Sequence, residues 1–350
     1  MTERTFALLG NTGRRDEGRL ELVCAFPGQG EFSVNALLQC ARKYSAVYGA
    51  MRETFEATDE VALEEGLPPV GRSLLGPTPP SGRQMAEAAA GTAQLAHFAV
   101  SVALYRALRA VLGTPDRFLA VSFGEIAALV AAGSLDVCDG ARVACRLARY
   151  MAAHRGAMLL VHAGERDTTE LLGARPGTGL ALACVNDPSE CVVSGPAAAI
   201  TDLEQLVLER QIPASRLKLD LLAHHPDLSH TADAFCSYLQ GVPLRRPAVP
   251  VHSAVNGLYT SRDQLARGLA NCLVLPVRLP SVVLAAATSS AVVLEVGTGE
   301  SLTRNILRTM PEGQVTAYNP LRTESFSWDP LTGAHGRQSS LQRAAEGGAS

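Results

Sequence analysis

Short apolar runs alternate with segments of helical spacing along most of the chain. Leu22-Val23-Cys24-Ala25-Phe26 stops at Pro27-Gly28, and Phe118-Leu119-Ala120-Val121 runs directly into Gly124-Glu125 and an alanine-rich stretch. Continuous apolar runs of this length, each leading into a helix start, predict buried parallel strands. From Ala88 to Val111 the positions of Leu95, Phe98, Val102, Leu104 and Leu108 keep a helical rhythm, as do the apolar positions from Ala141 to Met151. A different rhythm begins near Gly156. It predicts a strand from Met158 to His162, a short helix from Asp167 to Leu172, and two strands, Leu180 to Val185 and Cys191 to Ser194, around the turn Asn186-Asp187-Pro188-Ser189. A helix from Ala197 to Glu209 and a last strand from Arg216 to Leu222 complete the order βαββαβ, that of a ferredoxin-like unit. Strands at Val249 to Ser253 and Val292 to Val296 then return to the first rhythm.

The pattern divides the chain into a large α/β domain, residues 21–155 and 223–325, with a ferredoxin-like domain, 156–222, inserted in it. Residues 1–20 and 326–350 lack apolar periodicity and read as flexible tails. With 350 residues, 47% hydrophobic and 19% charged, the chain can build a sizeable core. A formal net charge of -3, with positive charge scattered, gives no field for nucleic acid. The eight cysteines form no C-x-x-C pair and no histidine stands at metal-ligand spacing, so they read as reduced thiols and no metal is expected. Met1 to Leu20 is polar and charged, and no uninterrupted apolar stretch has the length of a membrane span; the expected location is the cytoplasm, away from membranes.

Two segments carry candidate chemistry. Ala120-Val121-Ser122-Phe123-Gly124 lies between a predicted strand and helix, where a sharp turn can lift a serine hydroxyl clear of a sheet and aim it at the positive end of the helix. It is the nucleophile-elbow pattern with alanine at the first glycine. Phe26-Pro27-Gly28-Gln29-Gly30 closes the first strand with glycines around a glutamine, so backbone N–H groups can face a cleft as oxyanion donors.

These residues resemble the acyl-carrier-protein acyltransferases, the family of malonyl-CoA transacylases and polyketide synthase acyltransferase domains. Phe26 to Gly30 is similar to their FPGQG, Ser122 to Glu125 to the end of GHSxGE, and Leu294-Glu295-Val296-Gly297-Thr298-Gly299 to EVGPG. Asn186 to Ser189 followed by Val192-Val193-Ser194-Gly195 is similar to their small-domain hairpin. The resemblance implies an α/β-hydrolase-like large domain with an inserted ferredoxin-like domain. It implies Ser122 as nucleophile and His224, in Leu221-Leu222-Ala223-His224-His225-Pro226, as its base. The backbone N–H groups of Gln29 and Phe123 would form the oxyanion hole, and the carbonyl of Arg278, in Leu275-Pro276-Val277-Arg278, would orient the histidine. Gln94, Leu147, Asn186, Leu221, Leu222, Ala223 and His225 would line the substrate pocket. The implied substrate is a coenzyme A or phosphopantetheine thioester, with no bound cofactor, and the implied partner is an acyl carrier protein.

The chain departs from that pattern. The family's RGxxM motif holds an arginine that clamps the malonyl carboxylate, but an ungapped reading of Asp139 to Met151 puts Leu147 and Ala148 there. Arg146 and Arg149 flank the position, each turned about 100° per residue around the helix, and Arg155-Gly156 falls at the next strand and is read as a decoy. Asp220, on the expected last strand, is expected to face away. Val121 and Glu31-Phe32 also depart from the motifs. The expectation is a transferase of a neutral acyl group in polyketide or antibiotic assembly; an acyl-carrier-protein hydrolase with the same dyad, or a non-catalytic carrier-binding subunit, are the alternatives.

Overall fold

The computed structural model describes residues 20–30, 32–81, 84–85, 87–288, 291–323 and 326–328. Both expected tails therefore fall outside it, apart from the few residues at their inner ends, and so does Glu31. The strands in chain order are β1 (Glu21–Phe26), β2 (Arg117–Ala120), β3 (Ala157–Val161), β4 (Ala181–Asp187), β5 (Glu190–Gly195), β6 (Ala214–Arg216), β7 (Val251–Ser253), β8 (Gly257–Tyr259), β9 (Val277–Arg278), β10 (Ala291–Glu295) and β11 (Thr316–Tyr318).

The larger sheet has the order β11-β10-β1-β2-β7-β8 and is parallel except for β8. Alternate residues explain its two covers. Leu22, Cys24, Phe26 and Phe118 join the core under the helices Ser45–Glu64, Thr92–Leu112 and Val137–Ala152, whereas Val23, Ala25, Leu119 and Val293 face the helices Leu279–Ala286 and Ser301–Thr309. The helix Thr92–Leu112 is long and apolar enough to cross a membrane by length and composition, contrary to the expectation for the sequence. Its most apolar window is 78% buried within this protein instead.

The smaller sheet has the order β6-β3-β5-β4-β9, and β3 to β6 with their helices Glu165–Gly173 and Ala197–Glu209 follow the βαββαβ order. Two features differ from the sequence reading. The last strand ends at Arg216, after which Leu217 N–H gives a final ladder bond to Met158 O at 2.9 Å. Leu217, Leu219 and Ala223 then pack over the open face of the small sheet, on Met158, Ala183 and Val192, so the alternation to Leu222 reflects this packing and not a strand. The second is β9, contributed by the large domain, which pairs parallel with β4. At the other end, Phe326 and Trp328 are buried and their rings meet edge to face at 4.9 Å, so the core extends past the boundary set by composition.

Strands β1 and β2 carry their two loops side by side, and glycine permits the approach. A methyl group on Gly124 would lie 2.5 Å from the carbonyl oxygens of both Phe26 and Pro27. Gly124→Ala should therefore destabilise the protein by about 2–3 kcal/mol, the scale of forced overpacking against backbone, seen as a lower melting temperature. Gly30→Ala, where an added methyl meets nothing within 4 Å, should leave it unchanged.

Candidate active site

Ser122 stands between β2 and the helix Gly124–Ala131 with φ of +53°, in the left-handed region. A side chain there costs about 1–2 kcal/mol, and the turn is held on both flanks. Val121 N–H donates to Phe26 O at 3.0 Å, and Gly124 N–H donates to Val121 O at 2.9 Å. Beneath the turn, the buried carboxylate of Glu125 accepts hydrogen bonds from Tyr259 Oη at 2.5 Å and from the Ser253 hydroxyl. Ser253 Oγ in turn accepts from Asn256 N–H at 2.9 Å, and Asn256 Nδ2 donates to Tyr259 Oη at 3.0 Å. Burial pushes the Glu125 carboxyl up to about 7 despite the bonds from Ser253 and Tyr259. This network ties the helix behind the serine to β7 and β8.

His224 also has a positive φ, +52°. Its Nε2 lies 2.8 Å from Ser122 Oγ, and its Nδ1 lies 2.8 Å from Leu275 O. Burial drives the imidazole down to about 4, against the opposing pull of the Leu275 carbonyl. The ring is therefore neutral at pH 7. A carbonyl can only accept, so Nδ1 carries the hydrogen and the Nε2 lone pair receives the serine O–H.

The orienting carbonyl belongs to Leu275, not to Arg278. The helix Asp263–Val274 ends just before Leu275, which leaves that carbonyl outside the helical ladder. Arg278 instead donates its N–H to Ala254 O at 2.7 Å, and its guanidinium pairs with Glu165.

Two cavities meet at the serine and histidine. One, about 300 Å³, is lined by Gln29, Gln94, Phe123, Leu147, Leu221 and Ala223 from the sequence reading, with Ile126, Ala148, Met151 and Leu273. The other, about 500 Å³, lies between the two sheets and takes in Asn186 along with Met158, Leu160 and Val192. Leu222 and His225 line neither. Leu222 packs into the main core, its side chain against Gly156. His225 is buried with Nε2 donating to Gly179 O at 2.7 Å and Nδ1 accepting from Asp227 N–H at 3.2 Å, a structural histidine.

Sequence reasoning missed three groups. Arg155, set aside as a decoy, and Asp220, expected to face away, both line the first cavity from exposed positions on its rim. Because residues 217–222 leave the sheet, the alternation that would have turned Asp220 outward does not apply. His97 is the third. Its Nε2 lies 2.9 Å from Gly28 O and its ring stacks on Phe123; the only histidine in that helix, one turn after Gln94, was the available signal. Among the described residues no group of three or more His, Cys, Asp or Glu could hold a metal.

A parallel sheet covered on both faces, with a small ferredoxin-like sheet closed over the carboxyl ends of its strands, is the architecture of acyltransferases. The chain belongs to the acyl transferase domain family, whose model matches residues 37–324, and is a transferase of that family. It is 34% identical over 260 residues to polyketide synthase GfsE of Streptomyces halstedii, covering 71% of this chain but 6% of that protein. It is 33% identical over 226 residues to the 6-methylsalicylic acid synthase of Aspergillus terreus, covering 62% of this chain and 12% of that one. The chain thus spans a small fraction of these relatives. Among solved structures, the acyltransferase domain from module 8 of the salinomycin polyketide synthase superposes with TM-score 0.76 at 25% identity, covering 93% of this chain and 74% of that one. The malonyl-CoA:acyl carrier protein transacylase of Xanthomonas oryzae gives 0.75 at 26%, covering 86% and 94%.

A rate that uses the Nε2 lone pair of His224 needs the neutral ring, and the lowered pKa puts its loss at acid pH. Acylation measured as kcat/KM should stay level from pH 8 to about 5 and fall by half near pH 4, the value to which burial drives the ring. A break near 6.5, the ordinary histidine value, would show that the ring is solvated.

Proposed function

We propose that this chain transfers a neutral acyl group from a coenzyme A or carrier-protein thioester to the phosphopantetheine thiol of an acyl carrier protein, by way of an ester on Ser122. The observation that carries this reading is the 2.8 Å contact of Ser122 Oγ with an uncharged His224 Nε2. As Oγ attacks the thioester carbonyl, its proton passes to Nε2 and the Leu275 carbonyl steadies the imidazolium from the Nδ1 side. The N–H groups of Gln29 and Phe123 receive the developing oxyanion; no described residue accepts a hydrogen bond from either. Collapse expels the first thiol, which takes the proton from Nε2. The acceptor thiol then gives its proton to His224 Nε2 and attacks the ester; collapse expels Ser122 Oγ, which takes that proton back and restores the hydroxyl and the neutral ring. Support for a carrier-protein acceptor comes from a similar fold, at TM-score 0.74 and 21% identity, solved as a type II polyketide synthase acyl-carrier protein in complex with its malonyl-transacylase. The relatedness to polyketide synthases supports a role in polyketide or antibiotic assembly. The cytoplasm is the proposed location, in keeping with eight free thiols.

Support for a neutral acyl group comes from the cavity wall. Leu147 presents an apolar side chain with Ile126, Met151 and Leu273. Arg146 lies over the Tyr238 ring at 5.3 Å and Arg149 pairs with Glu65, so neither flanking arginine lines this cavity. A carboxylate against those apolar side chains would have no cation beside it, at a cost of several kcal/mol.

Ser122→Ala should abolish the acyl adduct seen by intact-protein mass spectrometry after incubation with acyl thioesters, and His224→Ala should slow transfer by about a hundredfold or more. Acyl on a cysteine would overturn the mechanism. His225→Ala should lower the melting temperature and spare the rate. Decay of the adduct to free acid, with no product on the carrier protein, would make the chain a hydrolase.

Leu147→Arg should raise malonyl loading relative to acetyl or longer neutral acyl loading, since a bidentate pair offsets carboxylate desolvation. Efficient malonyl loading by the unmodified chain that is lost in Arg155→Ala would overturn the substrate assignment and make Arg155 the clamp.

A further inference from the structure

The helix Thr92–Leu112 sets His97 against both segments that carry the proposed oxyanion donors. Its Nε2 lies 2.9 Å from Gly28 O. Its ring stacks on Phe123 with centroids 5.7 Å apart and planes 18° apart, and the Phe32 ring meets it at 6.4 Å and 78°. The Gly28 carbonyl and the Gln29 N–H are the two ends of one peptide group, and Phe123 supplies the other donor.

Among the described residues no peptide bond is cis. In a trans peptide the C=O and N–H point to opposite sides of a rigid plane, so a group that holds the carbonyl also aims the N–H. A hydrogen bond to the carbonyl polarises the peptide and strengthens its N–H as a donor. Gly28 packs against Val121 O and Ser122, but Gly30 meets no neighbour within 4 Å of an added methyl, so on that side the peptide has room to turn. Burial drives the His97 ring down to about 4, so it is neutral and carries one hydrogen. Gly28 O can only accept, which places that hydrogen on Nε2.

We propose that His97 is a positioning residue that aims the Gln29 N–H at the reacting carbonyl oxygen and holds Phe123 in register beside it. This rests on the acyl-transfer reading of Ser122. Packing alone would require neither the hydrogen bond nor the stack, because an aliphatic side chain could fill the same space.

The test is single-turnover acylation of Ser122 by acetyl-CoA and hexanoyl-CoA, followed by rapid quench and intact mass, in wild type, His97→Phe and His97→Gln. Phenylalanine keeps the stack and removes the donor; glutamine can return an N–H near the place of Nε2. His97→Phe should lower the acylation rate constant about tenfold or more, less than the loss of a whole oxyanion donor, with KM little changed, and His97→Gln should recover most of the rate. Wild-type acylation in His97→Phe, a loss confined to KM, or equal rates in the two variants would overturn the proposal. Should His97→Phe fail to fold, His97→Asn takes its place, because its shorter amide falls short of Gly28 O; rates equal to those of His97→Gln would again be fatal. Labelling by a fluorophosphonate, which needs Ser122, His224 and the donors but no particular acyl group, separates the two readings. If wild type accepts neither thioester, acyl transfer from these donors fails as a function, and the ratio of fluorophosphonate labelling between wild type and the variants still decides the role of His97.

Discussion

The 2.8 Å contact between Ser122 and His224 joins residues 102 positions apart, with strands β3 to β6 of the small sheet folded between them. Its length depends on how the two sheets are set against each other, and the structure fixes that setting with backbone bonds. Strand β9 leaves the large domain to pair with β4, while Arg278 N–H within it donates to Ala254 O beyond the end of β7. His225 N–H donates to Leu273 O, two residues before the Leu275 carbonyl that holds His224. The histidine sits at this seam, tied to the large domain through Leu273 and Leu275 and to the small sheet through Ala223 N–H, which donates to Ser194 Oγ at 3.3 Å. A shift of either sheet by an ångström would break a contact that both positive-φ residues are strained to make.

The electrostatics of the pair follow from the absence of a carboxylate among its hydrogen-bond partners. A carbonyl orients the ring but does not stabilise imidazolium as strongly as an ionised acid would, and burial lowers the ring to about 4. In the proposed mechanism the base is thus held neutral and ready, and its weakness toward a proton must be offset when the charge forms. The charge of opposite sign that appears in the same step is the oxyanion. An arrangement with a weak base therefore leans on the donors of the oxyanion, which is why the geometry around Gly28, Gln29 and Phe123 matters more here than in a triad. The buried acid nearby, Glu125, is consumed in fixing the helix through Tyr259 and Ser253 and does not reach the ring's bonding set.

The fold was legible wherever apolar periodicity reports burial. The strands β1, β2, β7 and β10 and the βαββαβ order of the small domain follow from runs and alternations that correspond to sheet faces. The alternation misled from Leu217 to Leu222, because side chains covering a cleft and side chains on a strand can show the same period. That misreading turned Asp220 outward, whereas Leu222 entered the expected pocket lining through the family resemblance of Leu221 to Ala223 and not through the alternation. Ser122, His224 and the two glycine-rich loops could be read because their residue types carry the chemistry. The carbonyl of Leu275 could not, since any residue has one, and a shift of three positions along a loop leaves no trace in side-chain identity. His97 escaped notice for a related reason: its partner is a backbone oxygen 69 residues away.

Charge placement in the acyl cavity bears on selectivity more than the count of charges does. Arginine is plentiful on the helix Val137–Ala152 and just after it, yet Arg142 pairs with Glu64 and Asp139, Arg149 with Glu65, and Arg146 covers Tyr238. Each is spent on the outer face of the helix, leaving Leu147 and Ala148 to the cavity. Arg155 and Asp220 remain, but both are exposed on the rim, where water screens a charge and an ion pair contributes about 1 kcal/mol or less. On the proposed neutral-acyl reading, a screened cation at the rim would not repay the desolvation of a carboxylate pressed against Leu147, Met151 and Leu273, whereas a methyl or longer alkyl group there would gain from burial. On that proposed reading, selection by this wall would work through exclusion: the side chains around Leu147 carry no cation for a charged acyl group, and the two opposite charges at the mouth favour neither sign over the other.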